Sequence, residues 1–179
     1  MDALMVVDMQ VGFLREGALA SDRCLAVLPA VVEEVGAALD RGDHVIFTAD
    51  THEPDDLEFR IFPVHCVRGT READIVDELA GFLDRERVHL VPKRRYSAMF
   101  ETELEGLLHR HGITAVRMCG VCTDICVLHT TADLRNRDVA VTVVAGATAT
   151  FDGPGHPAAQ VEAQVLAHMG AILGAAVET

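Results

Sequence analysis

Ala115-Val116-Arg117-Met118-Cys119-Gly120-Val121-Cys122-Thr123-Asp124-Ile125-Cys126 is the stretch on which the reading of the fold turns. Ala115 to Cys119 is short and mostly apolar, as a buried strand requires. Thr123 or Asp124 can cap a helix that runs to about Asn136. A strand that passes at once into a helix is one step of a β–α alternation, and the rest of the chain repeats that step. Leu4-Met5-Val6-Val7 reads as a first strand. Helical spacing from about Leu25 to Leu39 ends at Arg41-Gly42-Asp43. His44 to Ala49 is a second strand, followed by a loop from Asp50 to Gly69 and a helix near Arg71 to Leu83. Val88 to Val91 is a third strand, stopped by Pro92. Glu101 to His111 is helical and ends at Gly112. Val139 to Val144 is a fifth strand, and Ala158 to Ala171 is the last helix. The expected fold is α/β: a three-layer αβα sandwich with a mostly parallel central sheet.

Composition narrows the function classes. The chain has 179 residues, with 15 Lys plus Arg against 28 Asp plus Glu and a formal net charge of −13. That length suits one domain spanning 1–179. Half of the residues are hydrophobic, enough for a substantial core, so disorder is not expected. The acidic balance argues against nucleic acid or an anionic membrane as the main partner, because both need a basic face. No apolar run approaches the ~20 residues of a membrane span. Met1-Asp2-Ala3-Leu4 lacks the basic start of a secretory signal, and five cysteines cannot all pair within one chain. A cytoplasmic protein with reduced thiols is the expectation; a homo-oligomer is left open.

In such sheets ligands bind beyond the carboxyl ends of the strands. Strand one delivers Asp8, strand two Asp50 and then His52, strand three Lys93, and strand four runs into Cys122 and Cys126. A thiol is a poor nucleophile until it loses its proton, and reference cysteine has a pKa of about 8.5. Cys126 falls near the start of a helix, where the dipole and unpaired N–H groups favour a thiolate. A Lys93 ammonium would add to that effect, and Asp8 could accept the thiol proton. The backbone N–H groups of Cys122 and Cys126 could form an oxyanion hole. Plainer readings exist: a cysteine is often a small buried hydrophobe, an Asp after a strand caps a turn, and a Lys after a Pro is solvated. The plain reading accounts for Cys24, Cys66 and Cys119. The joint placement of the other groups along one rim is what argues for chemistry.

The loop from Asp50 to His65 holds Asp50, His52, Glu58 and His65. Two imidazoles with carboxylates suit Zn2+, Fe2+ or Mn2+. An extended Asp50-Thr51-His52 puts both outer side chains on one face. Against this, acidic loops are common, Asp55 and Asp56 add further charge, and zinc-finger spacing is absent, so spacing alone leaves the two readings balanced. The other histidines take the plain reading: His109, His111, His129 and His168 in helical patterns, His44 and His89 at strand starts, His156 in a Gly/Pro loop.

Taken together, Val6-Val7-Asp8-Met9-Gln10, Thr48-Ala49-Asp50-Thr51-His52, Phe62-Pro63-Val64-His65-Cys66 with Gly69-Thr70, Lys93 with Tyr96-Ser97-Ala98, and Gly120 to Val127 resemble the isochorismatase-like hydrolases, and within them the nicotinamidases. The matches run from Asp8 to Phe151 in the family's order. The resemblance implies a cysteine hydrolase with an Asp8–Lys93–Cys126 triad and one divalent metal, Zn2+ first with Fe2+ or Mn2+ as alternatives, held by Asp50, His52 and His65. It implies Glu58 as fourth ligand, with Glu53, Asp55 and Asp56 as competitors. It implies a nonproline cis peptide at Val121–Cys122, with Cys122 where relatives often have Ala. It implies Phe13, Phe62 and Phe100 as pocket-lining aromatics, Phe62 standing where many nicotinamidases have Trp. The activity implied is hydrolysis of nicotinamide to nicotinate and ammonia through a thioester, a step of pyridine nucleotide salvage. The alternatives are the same fold acting on another small amide or ureido substrate, a thiol redox protein built on Cys119-Gly120-Val121-Cys122, and a binding module without turnover.

Overall fold

Leu4 and Val6 face one core while Ala3, Met5 and Val7 face another, because successive side chains of a strand point to opposite sides. A strand buried on both faces needs a layer of helices on each. The computed structural model describes residues 2–179. Six strands, β1 (Asp2–Val7), β2 (His44–Asp50), β3 (Val88–Lys93), β4 (Ala115–Val121), β5 (Ala140–Ala149) and β6 (Ala176–Glu178), form one sheet in the order β3-β2-β1-β4-β5-β6. Every pairing is parallel. The helices are α1 (Val11–Leu14), α2 (Asp22–Ala26), α3 (Leu28–Arg41), α4 (Asp77–Ala80), α5 (Leu104–His111), α6 (Leu128–Arg135) and α7 (Ala158–Ala171). On one face α3 sets Val31, Val35 and Ala38 in a core with Leu4, Val6, Val45 and Phe47. On the other, Leu104, Leu107, Leu108, Leu134 and Met169 join Met5, Val7, Ile46 and Met118. Each large aliphatic side chain so buried contributes roughly 1.5–3 kcal/mol. The three-layer αβα arrangement read from the sequence is the observed one, with a sheet that is parallel throughout. Among the described residues, no helix is long and apolar enough to cross a membrane.

The strand order places the site. The chain winds outward from β1 through β2 to β3, then returns beside β1 as β4, so the order reverses between β1 and β4. The carboxyl ends of strands at such a reversal open a crevice. Asp8 follows β1 and the Cys122–Cys126 stretch follows β4 on its two sides. Gly120 permits the close approach of these strands: its φ is +109°, and a Cβ there would lie 2.1 Å from the Val7 carbonyl oxygen. β4 also slips against β5 at this point: between the Met118–Val143 and Gly120–Thr148 pairs β4 advances two residues and β5 five.

Several elements differ from the sequence reading for local reasons. The helix expected from Leu25 to Leu39 is two helices, α2 and α3, because Pro29 in the first turn of α3 has no N–H to continue a helix from α2. The helix expected over Arg71 to Leu83 shrinks to a 3-10 turn at Arg71–Ala73 and the single turn α4. Between them the chain is drawn into pairing with the start of α1: Val11 N donates to Asp74 O and Val76 N to Met9 O. Pro92 does not stop β3, which runs on to Lys93; β3 is an edge strand, where a missing N–H is tolerated. β5 is longer than expected, and the three-residue β6 was not anticipated.

Candidate active site

Four strand ends converge on one ammonium. Lys93 Nζ, at the end of β3, is 2.7 Å from Asp8 Oδ2 and 2.5 Å from Asp50 Oδ1, and it donates to Cys126 Sγ at 3.4 Å. An oxygen of Asp8, an oxygen of Asp50 and the Cys126 sulfur lie within 4.8 Å of one another. Asp8 sits in the left-handed region at φ 49°, a conformation that Asp tolerates better than most residues. Its Oδ1 accepts from Thr48 Oγ1 at 2.7 Å. Asp50 is held through its backbone by Gln10, whose Oε1 accepts from Asp50 N at 2.7 Å and whose Nε2 donates to Asp50 O and Ala73 O, each at 2.8 Å. Cys126 lies in a π-helical turn, Thr123–Val127, that leads from β4 into α6.

Burial governs the charges. Lys93, Asp8 and Asp50 are all buried. Burial works against the Lys93 ammonium, but Asp50 and Asp8 outweigh it and hold its pKa well above the usual lysine range. Burial raises the Asp8 carboxyl, with Asp50 adding to the rise and Lys93 opposing it. Burial also resists ionisation of Asp50, yet the Lys93 ammonium and His52 bring it down to about 2. Burial pushes the Cys126 thiol well above its usual range; Lys93 pulls it down, while Asp8, Asp50 and a hydrogen bond to Asp8 push it up. The thiolate at rest expected from the helix start is therefore not what the surroundings favour. They favour the neutral thiol.

Next to this group three donors point at a common centre. Asp50 Oδ2 is 3.8 Å from His52 Nε2 and 3.9 Å from His65 Nε2. Glu58 Oε1 is 4.0 Å from His52 Nε2. The second nitrogen of each ring is engaged elsewhere: His52 Nδ1 with Asp56 Oδ2 at 3.2 Å, His65 Nδ1 with the Pro63 carbonyl at 2.7 Å. Such second contacts orient ligand imidazoles. His52 Nε2 is buried without a hydrogen-bond partner, a costly state unless something else satisfies it, while the outer oxygen of Glu58, Oε2, faces Arg95 at 3.7 Å. Ligand atoms about 2.1 Å from one cation stand about 3 to 4.2 Å apart, depending on the angle, so the observed spacings fit a divalent ion. Of the competing carboxylates, Glu53 is exposed and pairs with Arg68 at 2.8 Å, Asp55 is exposed, and Asp56 is occupied by His52 and by Arg95 at 2.8 Å.

A pocket opens onto both groups and includes Asp8, Asp50, Glu58, His65, Cys122 and Cys126 in its lining. Phe13 and Phe62 line it as expected. Phe100 does not: it is 44% exposed and lies under the Arg94 guanidinium, because the chain after Ala98 turns away toward α5. Tyr96, edge-on to Phe62 at 6.2 Å, and Phe151 complete the aromatic wall. Phe151 is stacked on His156 at 4.5 Å, and His156 Nε2 bonds Asp124 Oδ2 at 2.8 Å. In the sequence Tyr96 stands only as part of a motif, and Phe151 only as the last residue of the stretch that resembles the family. The Val121–Cys122 peptide is cis, as the resemblance implied. All five cysteines are free thiols, and the Cys119 thiol donates to the Met5 carbonyl oxygen at 3.8 Å.

Comparison with known proteins gives the family and the fold. The isochorismatase domain model matches residues 2–176. A Bacillus subtilis (strain 168) protein described as an uncharacterized isochorismatase family protein PncA is 34% identical over 155 residues, covering 83% of this chain and 81% of that protein. An Arabidopsis thaliana protein described as a probable inactive nicotinamidase is 32% identical over 158 residues, covering 82% and 80%. The structure of a pyrazinamidase/nicotinamidase from Streptococcus mutans UA159 superposes with a TM-score of 0.91 at 32% identity, covering 99% of both chains. A Pyrococcus horikoshii pyrazinamidase in complex with zinc superposes with a TM-score of 0.85 at 28% identity, covering 98% and 97%.

Proposed function

The chain belongs to the isochorismatase domain family, and from that premise we propose that it is a cysteine amidohydrolase that converts nicotinamide to nicotinate and ammonia. The observation that carries this reading is the Lys93 ammonium, in contact at once with Asp8, Asp50 and Cys126. It joins a base, a nucleophile and a cation-binding carboxylate in one buried cluster. The wall supports a flat aromatic substrate. The sequence has only seven Phe, one Tyr and no Trp, yet Phe13, Phe62, Tyr96 and Phe151 all line this pocket.

In this proposal the Cys126 sulfur attacks the carboxamide carbon as its proton passes to Asp8. A rise in the Asp8 pKa makes it a better proton acceptor than a solvated Asp. Lys93 keeps Asp8 charged before the transfer and stabilises negative charge on sulfur as it develops. The amide N–H groups of Cys122 and Cys126 receive the oxyanion. Asp8 then returns the proton to the leaving ammonia, and a thioester to Cys126 remains. A water attacks the thioester with Asp8 as its base, which frees nicotinate and restores the thiol. Asp50, His52, His65 and Glu58 are the residues that would hold a divalent cation, which would supply a Lewis acid in the pocket wall. The zinc-bound pyrazinamidase neighbour makes Zn2+ the first choice.

The test is ammonia release by the purified protein on nicotinamide, pyrazinamide and a set of aliphatic amides and ureido compounds, with metal analysis of the same sample. Selective turnover of the heteroaromatic amides supports the proposal. Preference for a ureido substrate would keep the fold and triad and replace the substrate assignment.

A further inference from the structure

Three histidines that looked ordinary in the sequence meet at the amino ends of the strands, the rim opposite Asp8, Lys93 and Cys126. His44 opens β2, His89 is the second residue of β3, and His111 closes α5. One ring nitrogen of each lies within 4.8 Å of those of the other two. His44 Nδ1 is 3.0 Å from His89 Nε2. The ring centroids are 4.4 Å apart for His44 and His111, 5.1 Å for His89 and His111, and 5.3 Å for His44 and His89. His44 is buried, while His89 and His111 are half-buried and leave a path from solvent.

Burial, and then the neighbouring His111, hold the His44 and His89 rings below the usual imidazole range. In a tetrahedral zinc site with bonds of about 2.0–2.1 Å, ligand nitrogens stand about 3.3 Å apart; the His44–His89 hydrogen bond holds two ring nitrogens at 3.0 Å, close to that spacing, and a cation entering there would displace its proton. His111 lies in the last turn of α5, where the helix dipole favours a cation. The surrounding charges oppose one another: Arg87 and Arg110 disfavour a cation near these rings, while Asp43 and Glu103 favour one. Three imidazoles gathered at the negative end of a helix tip the balance toward a cation, and imidazole donors suit Zn2+, Ni2+ and Cu2+.

We propose that His44, His89 and His111 form a second metal site, structural rather than catalytic, that takes a divalent zinc-like cation with water completing its shell. The cation ties the end of α5 to the first residues of β2 and β3. From His44 to Asp50 along β2 is six residues, about 20 Å at the rise of a strand, so this cation cannot reach the pocket. The expected consequence is on stability and metal content, with amide turnover unaffected.

The test uses the full chain, stripped of metal with a strong chelator and dialysed against Zn2+ in the presence of a weak one. Elemental analysis of wild type, His89→Gln and His111→Gln should show each variant holding one zinc per chain fewer than wild type, with wild-type amide turnover. The rise in Tm that zinc gives wild type should shrink in both variants, while the chelated proteins melt together. Equal zinc content and equal Tm rise in all three overturn the proposal. To remove any effect of the substitutions, ring 15N signals of wild type are followed with up to two equivalents of Zn2+. Shifts at His44, His89 and His111 support the site, and unmoved signals refute it.

Discussion

Lys93 and Asp50 share the shortest contact in the buried cluster: Nζ is 2.5 Å from Oδ1, while Oδ2 of the same carboxylate faces His52 and His65. One carboxylate thus belongs both to the cysteine group and to the cation-binding group. Removing the ammonium leaves Asp8 and Asp50 buried without their cation. Lys93→Met should cost roughly 3–5 kcal/mol of stability together with most of the activity. Urea unfolding measures the first, and an unchanged midpoint would contradict the arrangement.

Asp56 touches the proposed metal centre through two ligands: its Oδ2 meets His52 Nδ1 at 3.2 Å and its Oδ1 accepts from Glu58 N at 3.0 Å. Outer partners of this kind typically set metal affinity by 10–100-fold. Asp56→Asn should therefore weaken zinc binding by about 10–100-fold, read by competition with a zinc-sensitive dye, with the fold intact. Undiminished affinity would show that His52 needs no such support.

The acid limb of kcat/KM should report Asp8. Burial raises its pKa, and only the ionised form accepts a proton, so activity falls as pH drops through a value above the ordinary aspartate range. Thr48 holds the carboxylate through Oγ1 and lowers that pKa. Thr48→Val should move the limb to higher pH. A shift to lower pH, or none, would remove Asp8 as the group responsible.

Gly120→Ala should destabilise the protein by more than about 3 kcal/mol. Its Cβ would meet the Val7 backbone at 2.1 Å with φ at +109°, at the point where β1 and β4 deliver their reactive residues. Near-wild-type urea stability would show that the strands can part there freely.

Much of this was legible because strand ends are fixed by pattern. Apolar runs of four to six residues located β1 to β4, and the parallel-sheet rule then aligned Asp8, Asp50, Lys93 and Cys126 on one rim. Gly42 and Gly112 ended α3 and α5 where expected. What failed was set by tertiary contact. Pairing of Ile75 with Gln10 overrode a helix, and the turn after Ala98 carried Phe100 out of the pocket. Helix position in the sequence argues for a thiolate at Cys126, whereas burial beside two carboxylates, visible only in the fold, raises its pKa. The meeting of His44, His89 and His111 had no signal in spacing, since the three come from two strands and a helix brought together only by the fold.

The central claim is that the Cys126 sulfur is the nucleophile. Cys126→Ala, assayed for ammonia release from nicotinamide beside zinc analysis of the same preparation, tests it most directly. The account predicts loss of turnover to background with zinc content unchanged. Ammonia release at a rate comparable to wild type would contradict it.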